Sequence, residues 1–126
     1  MTGDSTMNRT ILVVEDQEDN RQILRDLLTN GGYDMIEAEN GQDAITAAEA
    51  NHPDLILMDI QLPILDGYEA TRRIKSNPEL KSIPIIVVTS YALSGDEEKA
   101  RSAGCDDYVA KPYSPRQLLA KIKSYV

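Results

Sequence analysis

The chain has 126 residues, 41% of them hydrophobic and 27% charged, with no Trp or Phe and a formal net charge of −8. That length fits one compact domain built on Ile, Leu, Val, Ala and a few Tyr, and the negative balance excludes a module that grips nucleic acid phosphates or an anionic membrane surface. No apolar run approaches the roughly 20 residues that span a bilayer, the polar start through Thr10 lacks the parts of a signal peptide, and the single Cys105 cannot close an internal disulfide, as suits a reducing cytoplasm.

In chain order, residues 1–9 are expected as a short flexible arm and 10–126 as the domain. Thr10 to Val14 is an apolar, β-branched run that stops at Glu15-Asp16. Asp19 or Asn20 is placed to cap the next helix, in which Ile23, Leu24, Leu27 and Leu28 recur at helical spacing and which Gly31-Gly32 ends. Tyr33 to Ala38 is a second strand, and Asn40-Gly41 turns into an Ala-rich helix. That helix breaks at His52-Pro53, because the residue before Pro is pushed out of the helical region. Asp54 to Met58 is a buried strand ending at Asp59. A third helix runs through Ala70 and Ile74 to Asn77-Pro78. Ile83 to Val88 is the most apolar strand and ends at Thr89. A helix from about Ser94 to Ala103 closes at Gly104, a last strand lies near Tyr108 to Ala110, and Lys111-Pro112 follows. Leu118, Leu119, Ile122, Tyr125 and Val126 form one face of the final helix. Strands apolar on both faces, each followed by a helix, predict a doubly wound α/β fold with a parallel sheet covered on both sides.

In such a fold ligands gather outside the carboxyl ends of the strands. Those ends carry Glu15-Asp16, Asp59, Thr89-Ser90 and Lys111-Pro112. Carboxylates brought to one edge repel one another unless a cation lies between them. All-oxygen ligands select a hard ion, and Mg²⁺ is the usual partner of phosphate chemistry. Asp59 is the candidate nucleophile, able to form an aspartyl phosphate. Mg²⁺ and Lys111 would neutralise the transferring phosphoryl group, and the Thr89 hydroxyl would bond to it once attached. Taken singly, each residue has a plainer role: Asp59, Glu15 and Asp16 as helix caps or solvated charges, Thr89 as the end of a strand, Lys111 as a surface cation. Their coincidence at the strand ends of one fold carries the argument. Cys105 reads as a small core or loop residue, and His52 as a solvated loop residue away from the site.

Four segments together resemble the receiver domain of two-component response regulators: Ile11-Leu12-Val13-Val14-Glu15-Asp16; Met58-Asp59-Ile60-Gln61-Leu62-Pro63 with Asp66-Gly67; Val88-Thr89-Ser90; and Gly104-Cys105-Asp106-Asp107-Tyr108 with Lys111-Pro112. The likeness runs from about Thr10 to Val126. It implies a flavodoxin-like, five-stranded parallel sheet in the order 2-1-3-4-5 flanked by five helices. It implies that Asp59 accepts a phosphoryl group from a phosphohistidine on a histidine kinase or histidine phosphotransfer protein. Mg²⁺ would be held by Asp16, Asp59 and the backbone carbonyl of Gln61, with Glu15 acting through water. Lys111 would contact the phosphoryl group, across a cis Lys111-Pro112 bond. Thr89 and Tyr108 match the switch pair, and the fourth helix, fifth strand and fifth helix would form the face that meets a downstream protein. Tyr108 as a half-buried ring that never moves is the plainer alternative. Such a domain is a cytoplasmic signalling module rather than a conventional enzyme, although it promotes its own phosphorylation and dephosphorylation. Glu15 stands where many members have Asp, and Gln61 and Tyr91 flank the site where the family varies.

Two other classes compete. A phosphatase of the haloacid dehalogenase type also uses an Asp nucleophile, but it needs a second Asp two residues on, where this chain has Gln61. A flavin-binding domain of similar topology would need a glycine- and hydroxyl-rich loop after the first strand, and Glu15-Asp16-Gln17-Glu18-Asp19 repels a phosphate. Within the preferred family, a stand-alone receiver is favoured over a fragment of a hybrid kinase or larger regulator.

Overall fold

Side chains that alternate along each strand divide the core into two layers, one on either side of a single sheet. The computed structural model describes residues 9–89 and 96–126. Five strands, β1 (Thr10–Val14), β2 (Asp34–Ala38), β3 (Leu55–Asp59), β4 (Ile85–Thr89) and β5 (Asp107–Ala110), alternate with five helices. These are α1 (Glu18–Asn30), α2 (Gly41–Asn51), α3 (Gly67–Ser76), α4 (Asp96–Ser102) and α5 (Pro115–Tyr125). The sheet is parallel throughout, in the order β2-β1-β3-β4-β5, as the likeness implies.

Every residue of β3 and β4 is buried, as a strand covered on both faces requires. Leu12, Val14, Ile56, Met58, Ile85 and Val87 face the layer holding Ala44, Ala48, Ala70, Ile74 and Ala100 of α2, α3 and α4. Ile11, Val13, Leu55, Leu57, Ile86 and Val88 face Leu24, Leu28, Leu118 and Ile122 of α1 and α5. The sheet order reverses between β1 and β3, so the crevice lies over their carboxyl ends. No helix among the described residues is long and apolar enough to cross a membrane.

Several boundaries differ from the sequence reading. The cap of α1 is Gln17, whose side chain makes no capping bond, and Asp19 and Asn20 lie within the first turn. There the acidic pair Glu18 and Asp19 complements the helix dipole instead. Asn40, Asp66 and Ser114 do cap α2, α3 and α5 through their side chains. β2 starts at Asp34, leaving Tyr33 just outside, and β4 starts at Ile85 rather than Ile83. Pro84 has no N–H to give a ladder, and only its carbonyl is used, accepting from Ile56 N–H at 2.9 Å. Tyr125 is 37% exposed; its hydroxyl donates to the Asp106 carbonyl and the Asp107 carboxylate, so it serves the polar edge of α5 rather than its apolar face. Gly104, at φ +108°, turns the chain out of α4 where a side chain would be strained. The expected arm falls mostly, and Ser90, Tyr91, Ser94 and Gly95 wholly, outside the described residues. His52 is exposed, as expected, and ends α2 in the left-handed region.

Candidate functional site

Parallel register delivers the site. Val14 pairs with Met58, so the residues that follow, Glu15 and Asp59, emerge side by side at the sheet edge. Glu15 continues the ladder by one bond, its N–H reaching the Ala38 carbonyl at 3.0 Å, and the residue is 3% exposed. Asp59 is 9% exposed. Carboxylate oxygens of Glu15, Asp16 and Asp59 all lie within 4.8 Å of one another, and Asp16 faces solvent. Lys111 reaches over from the end of β5, its Nζ 3.1 Å from Glu15 Oε1 and 3.6 Å from Asp59 Oδ2. The Lys111-Pro112 bond is cis, as the likeness implies.

Each carboxylate is further held by backbone. Asp59 Oδ1 accepts the Ile60 N–H at 2.7 Å, and Glu15 Oε2 accepts the Gln17 N–H at 3.1 Å. Behind Asp59 the chain passes so close to α3 that Gly67 is sterically required. A Cβ at that position would stand 2.0 Å from the Asp59 carbonyl oxygen. The Gly67 N–H closes the loop onto the Ile60 carbonyl at 2.9 Å.

Burial and charge drive the ionisable groups apart. Burial, reinforced by the Glu15 charge and only partly offset by Lys111, pushes the Asp59 carboxyl up to about 6. Burial also acts on Glu15, but Lys111 and the Gln17 amide outweigh it and hold Glu15 below its ordinary value. Lys111 is raised because the two carboxylates overcome its desolvation. The ammonium stands closer to Glu15, at 3.1 Å, than to Asp59, at 3.6 Å.

The cluster suits a hard divalent cation. Its donors are carboxylate oxygens without sulfur or imidazole, and the one ammonium beside them pairs with Glu15 and Asp59. Gln61 completes the rim, lining with Glu15, Asp16, Asp59 and Lys111 an open cleft of about 940 Å³. The cleft extends along Ile23, Leu24, Tyr113 and Leu118 between α1 and α5.

Thr89 is not in this lining. It is 1% exposed, follows Val88, which pairs with Asp59, and accepts the Lys111 N–H on its carbonyl at 2.7 Å. Tyr108 is half-buried against the α2–α4 layer, and its N–H is held by the Asp107 carboxylate at 2.8 Å. Cys105 is buried, with its thiol pushed up to about 11, chiefly by burial, which fits a structural residue. Sequence reasoning passed over Arg21, whose guanidinium donates to the Glu15 carbonyl at 2.8 Å. The available signal was its position, three residues before Leu24 and seven before Leu28, on the core-facing stripe of α1.

A model of the response regulator receiver domain matches residues 11–123. The polar-differentiation response regulator DivK of Brucella ovis is 45% identical over 120 residues, covering 95% of this chain and 98% of that protein. The receiver domain of a sensor histidine kinase of Pseudomonas aeruginosa, solved with a magnesium ion coordinated in its active-site cleft, superposes with a TM-score of 0.88 at 38% identity, covering 94% of this chain and 98% of that one. The receiver of a signal transduction histidine kinase of Syntrophus aciditrophicus gives a TM-score of 0.87 at 32% identity, over 93% and 89% of the two chains.

Proposed function

The chain belongs to the response regulator receiver domain family, and from that premise we propose that it accepts a phosphoryl group on Asp59 and passes the signal on by a change of surface. The observation that carries this reading is the position of Asp59: buried at the end of β3, within 4.8 Å of Glu15 and Asp16 and 3.6 Å from the Lys111 ammonium.

Asp16, Asp59 and the Gln61 carbonyl would hold Mg²⁺, with Glu15 acting through water. When bound, Mg²⁺ neutralises charge on the carboxylates and on the incoming phosphoryl oxygens. An Asp59 carboxylate oxygen attacks phosphorus in line with the leaving group. The O–P bond forms as the P–N bond of a phosphohistidine breaks, and the electron pair returns to the imidazole nitrogen, which takes a proton from solvent. Lys111, paired with Glu15 at 3.1 Å before transfer, turns its ammonium to a phosphoryl oxygen afterwards. The Ile60 N–H, already on Asp59 Oδ1, fixes the carboxylate plane during attack. Phosphate is lost again when water attacks the same phosphorus and the Asp59 carboxylate leaves.

The phosphodonor in this reading is a histidine kinase or histidine phosphotransfer protein. Attachment of the phosphoryl group draws the Thr89 hydroxyl toward it, Tyr108 moves inward, and the face made by α4, β5 and α5 meets a downstream protein in the cytoplasm. The proposal is tested by incubating the protein with a small phosphodonor such as acetyl phosphate and Mg²⁺ and recording intact mass. One added phosphoryl group on the wild type and none on Asp59→Asn is expected; equal labelling of both proteins would remove Asp59 from the role.

A further inference from the structure

Arg21 is the one buried arginine among the described residues, 7% exposed as a residue on the apolar stripe of α1. All three faces of its guanidinium are used. Nη1–H donates to the backbone carbonyl of Glu15 at 2.8 Å, Nε–H to Glu37 Oε1 at 3.0 Å, and Nη2–H to Glu18 Oε1 at 2.6 Å. Glu37 is itself gripped by Arg25, with three contacts between 2.7 and 3.0 Å. The fork thus ties β2 and the first turn of α1 to one peptide group.

That peptide group joins Glu15 to Asp16, the two residues whose carboxylates stand beside Asp59. Its other constraints lie upstream and downstream: the Glu15 N–H is on Ala38, and the Gln17 N–H is on the Glu15 carboxylate. Without Arg21 the carbonyl between them would be a buried acceptor whose only charged donor is gone, and the peptide plane would be free to rotate. Rotation there swings both carboxylates relative to β3. Because Arg21 spends its charge on Glu18 and Glu37, it reaches the site through geometry rather than through its field.

We infer that Arg21 is a positioning residue for the cation site, holding the Glu15–Asp16 peptide in the orientation that lets both carboxylates converge with Asp59 on Mg²⁺. The inference rests on the reading of that cluster as a Mg²⁺ site. Groups that orient metal ligands typically contribute about 10- to 100-fold to affinity. Arg21→Ala is therefore expected to weaken Mg²⁺ binding by about tenfold or more. Arg21→Lys, which retains a single flexible donor in place of the planar fork, falls between. Glu37→Gln keeps an acceptor for Arg21 while removing the ion pair, so it lowers stability and leaves Mg²⁺ affinity at the wild-type value.

The experiment is a Mg²⁺ titration of the full chain followed by amide NMR shifts, at a temperature where each variant gives a dispersed, folded spectrum. The expected order of affinity is wild type and Glu37→Gln together, then Arg21→Lys, then Arg21→Ala. Arg21→Ala binding within twofold of wild type would overturn the inference, as would Glu37→Gln weakening Mg²⁺ as much as Arg21→Ala. If Arg21→Ala does not fold, Arg21→Lys decides: affinity within twofold of wild type refutes a positioning role. A wild type that shows no saturable Mg²⁺ response at millimolar concentrations would instead defeat the cation-site reading itself.

Discussion

Gly67 and Asp59 meet backbone to backbone: a Cβ on Gly67 would lie 2.0 Å from the Asp59 carbonyl oxygen and 2.9 Å from the carbonyl carbon. Neither atom is the end of a flexible side chain, so a methyl group there displaces the end of β3. Gly67→Ala should cost roughly 1–3 kcal/mol, the usual penalty of overpacking, and, if Asp59 is the proposed acceptor, slow phosphorylation by displacing it. Urea denaturation and the initial phosphorylation rate measure the two effects, and an unchanged midpoint would show that the loop yields freely.

Lys111 repels a cation but attracts a phosphoryl group, so its removal should split two measurements. Lys111→Met takes a positive charge from 3.1 Å beside Glu15 and 3.6 Å beside Asp59, which should tighten Mg²⁺ binding. The same change should slow phosphoryl transfer by on the order of 100-fold, as loss of a preorganised charge at a reacting centre does. Calorimetric Mg²⁺ affinity and the labelling rate would move in opposite directions. Weakening of both would mean that Lys111 acts mainly by holding the loops together.

Glu37 gives a pH signature away from the site. Hydrogen bonds from Arg25, together with the Arg25 and Arg21 charges, overcome its burial and hold its carboxyl below the ordinary 4.5. A depressed carboxyl contributes stability that is present above the unfolded value and lost as pH falls through the folded one. Glu37→Gln should therefore be less stable than wild type at pH 7, with the gap closing as pH falls below about 4.5. Thermal melts across that range test it; a constant gap would assign the loss to shape rather than charge.

Ile64 stands at φ +70° and is 82% exposed. The Leu65 N–H donates to the Pro63 carbonyl at 2.7 Å, which makes Ile64 the centre of a three-residue turn that β-branched residues rarely adopt. With little apolar surface to lose, Ile64→Gly should stabilise the protein by roughly 1 kcal/mol. A lower unfolding midpoint in urea would show that the side chain is held by contacts worth more than the strain.

The fold and the inner site were legible in the chain because each strand stops at a polar residue. Val14 gives way to Glu15-Asp16, Met58 to Asp59, Val88 to Thr89 and Ala110 to Lys111, and parallel register turns those stops into neighbours. The turn at Asn40-Gly41 was legible too, and in the structure Asn40 caps α2. The cap of α1 was not legible, because Gln17 is fixed by the Glu15 carboxylate rather than by its own side chain. Arg21 escaped for a related reason: its partners Glu15, just past the end of β1, and Glu37, on β2, are brought together only by the sheet, a contact no local pattern encodes. Gly67 appeared in a motif, yet its need to clear the Asp59 carbonyl is visible only in three dimensions.

If Asp59 receives the phosphoryl group in a Mg²⁺-dependent reaction, chemical mapping of the acyl phosphate will locate it there. Protein treated with acetyl phosphate is reduced with borohydride, which converts a phosphorylated aspartate to homoserine, and the peptides are then read by mass spectrometry. Conversion at Asp59 alone, abolished by chelating Mg²⁺, is the expected result. Conversion at Asp16 or elsewhere, or equal conversion of Asp59 without the metal, would contradict it.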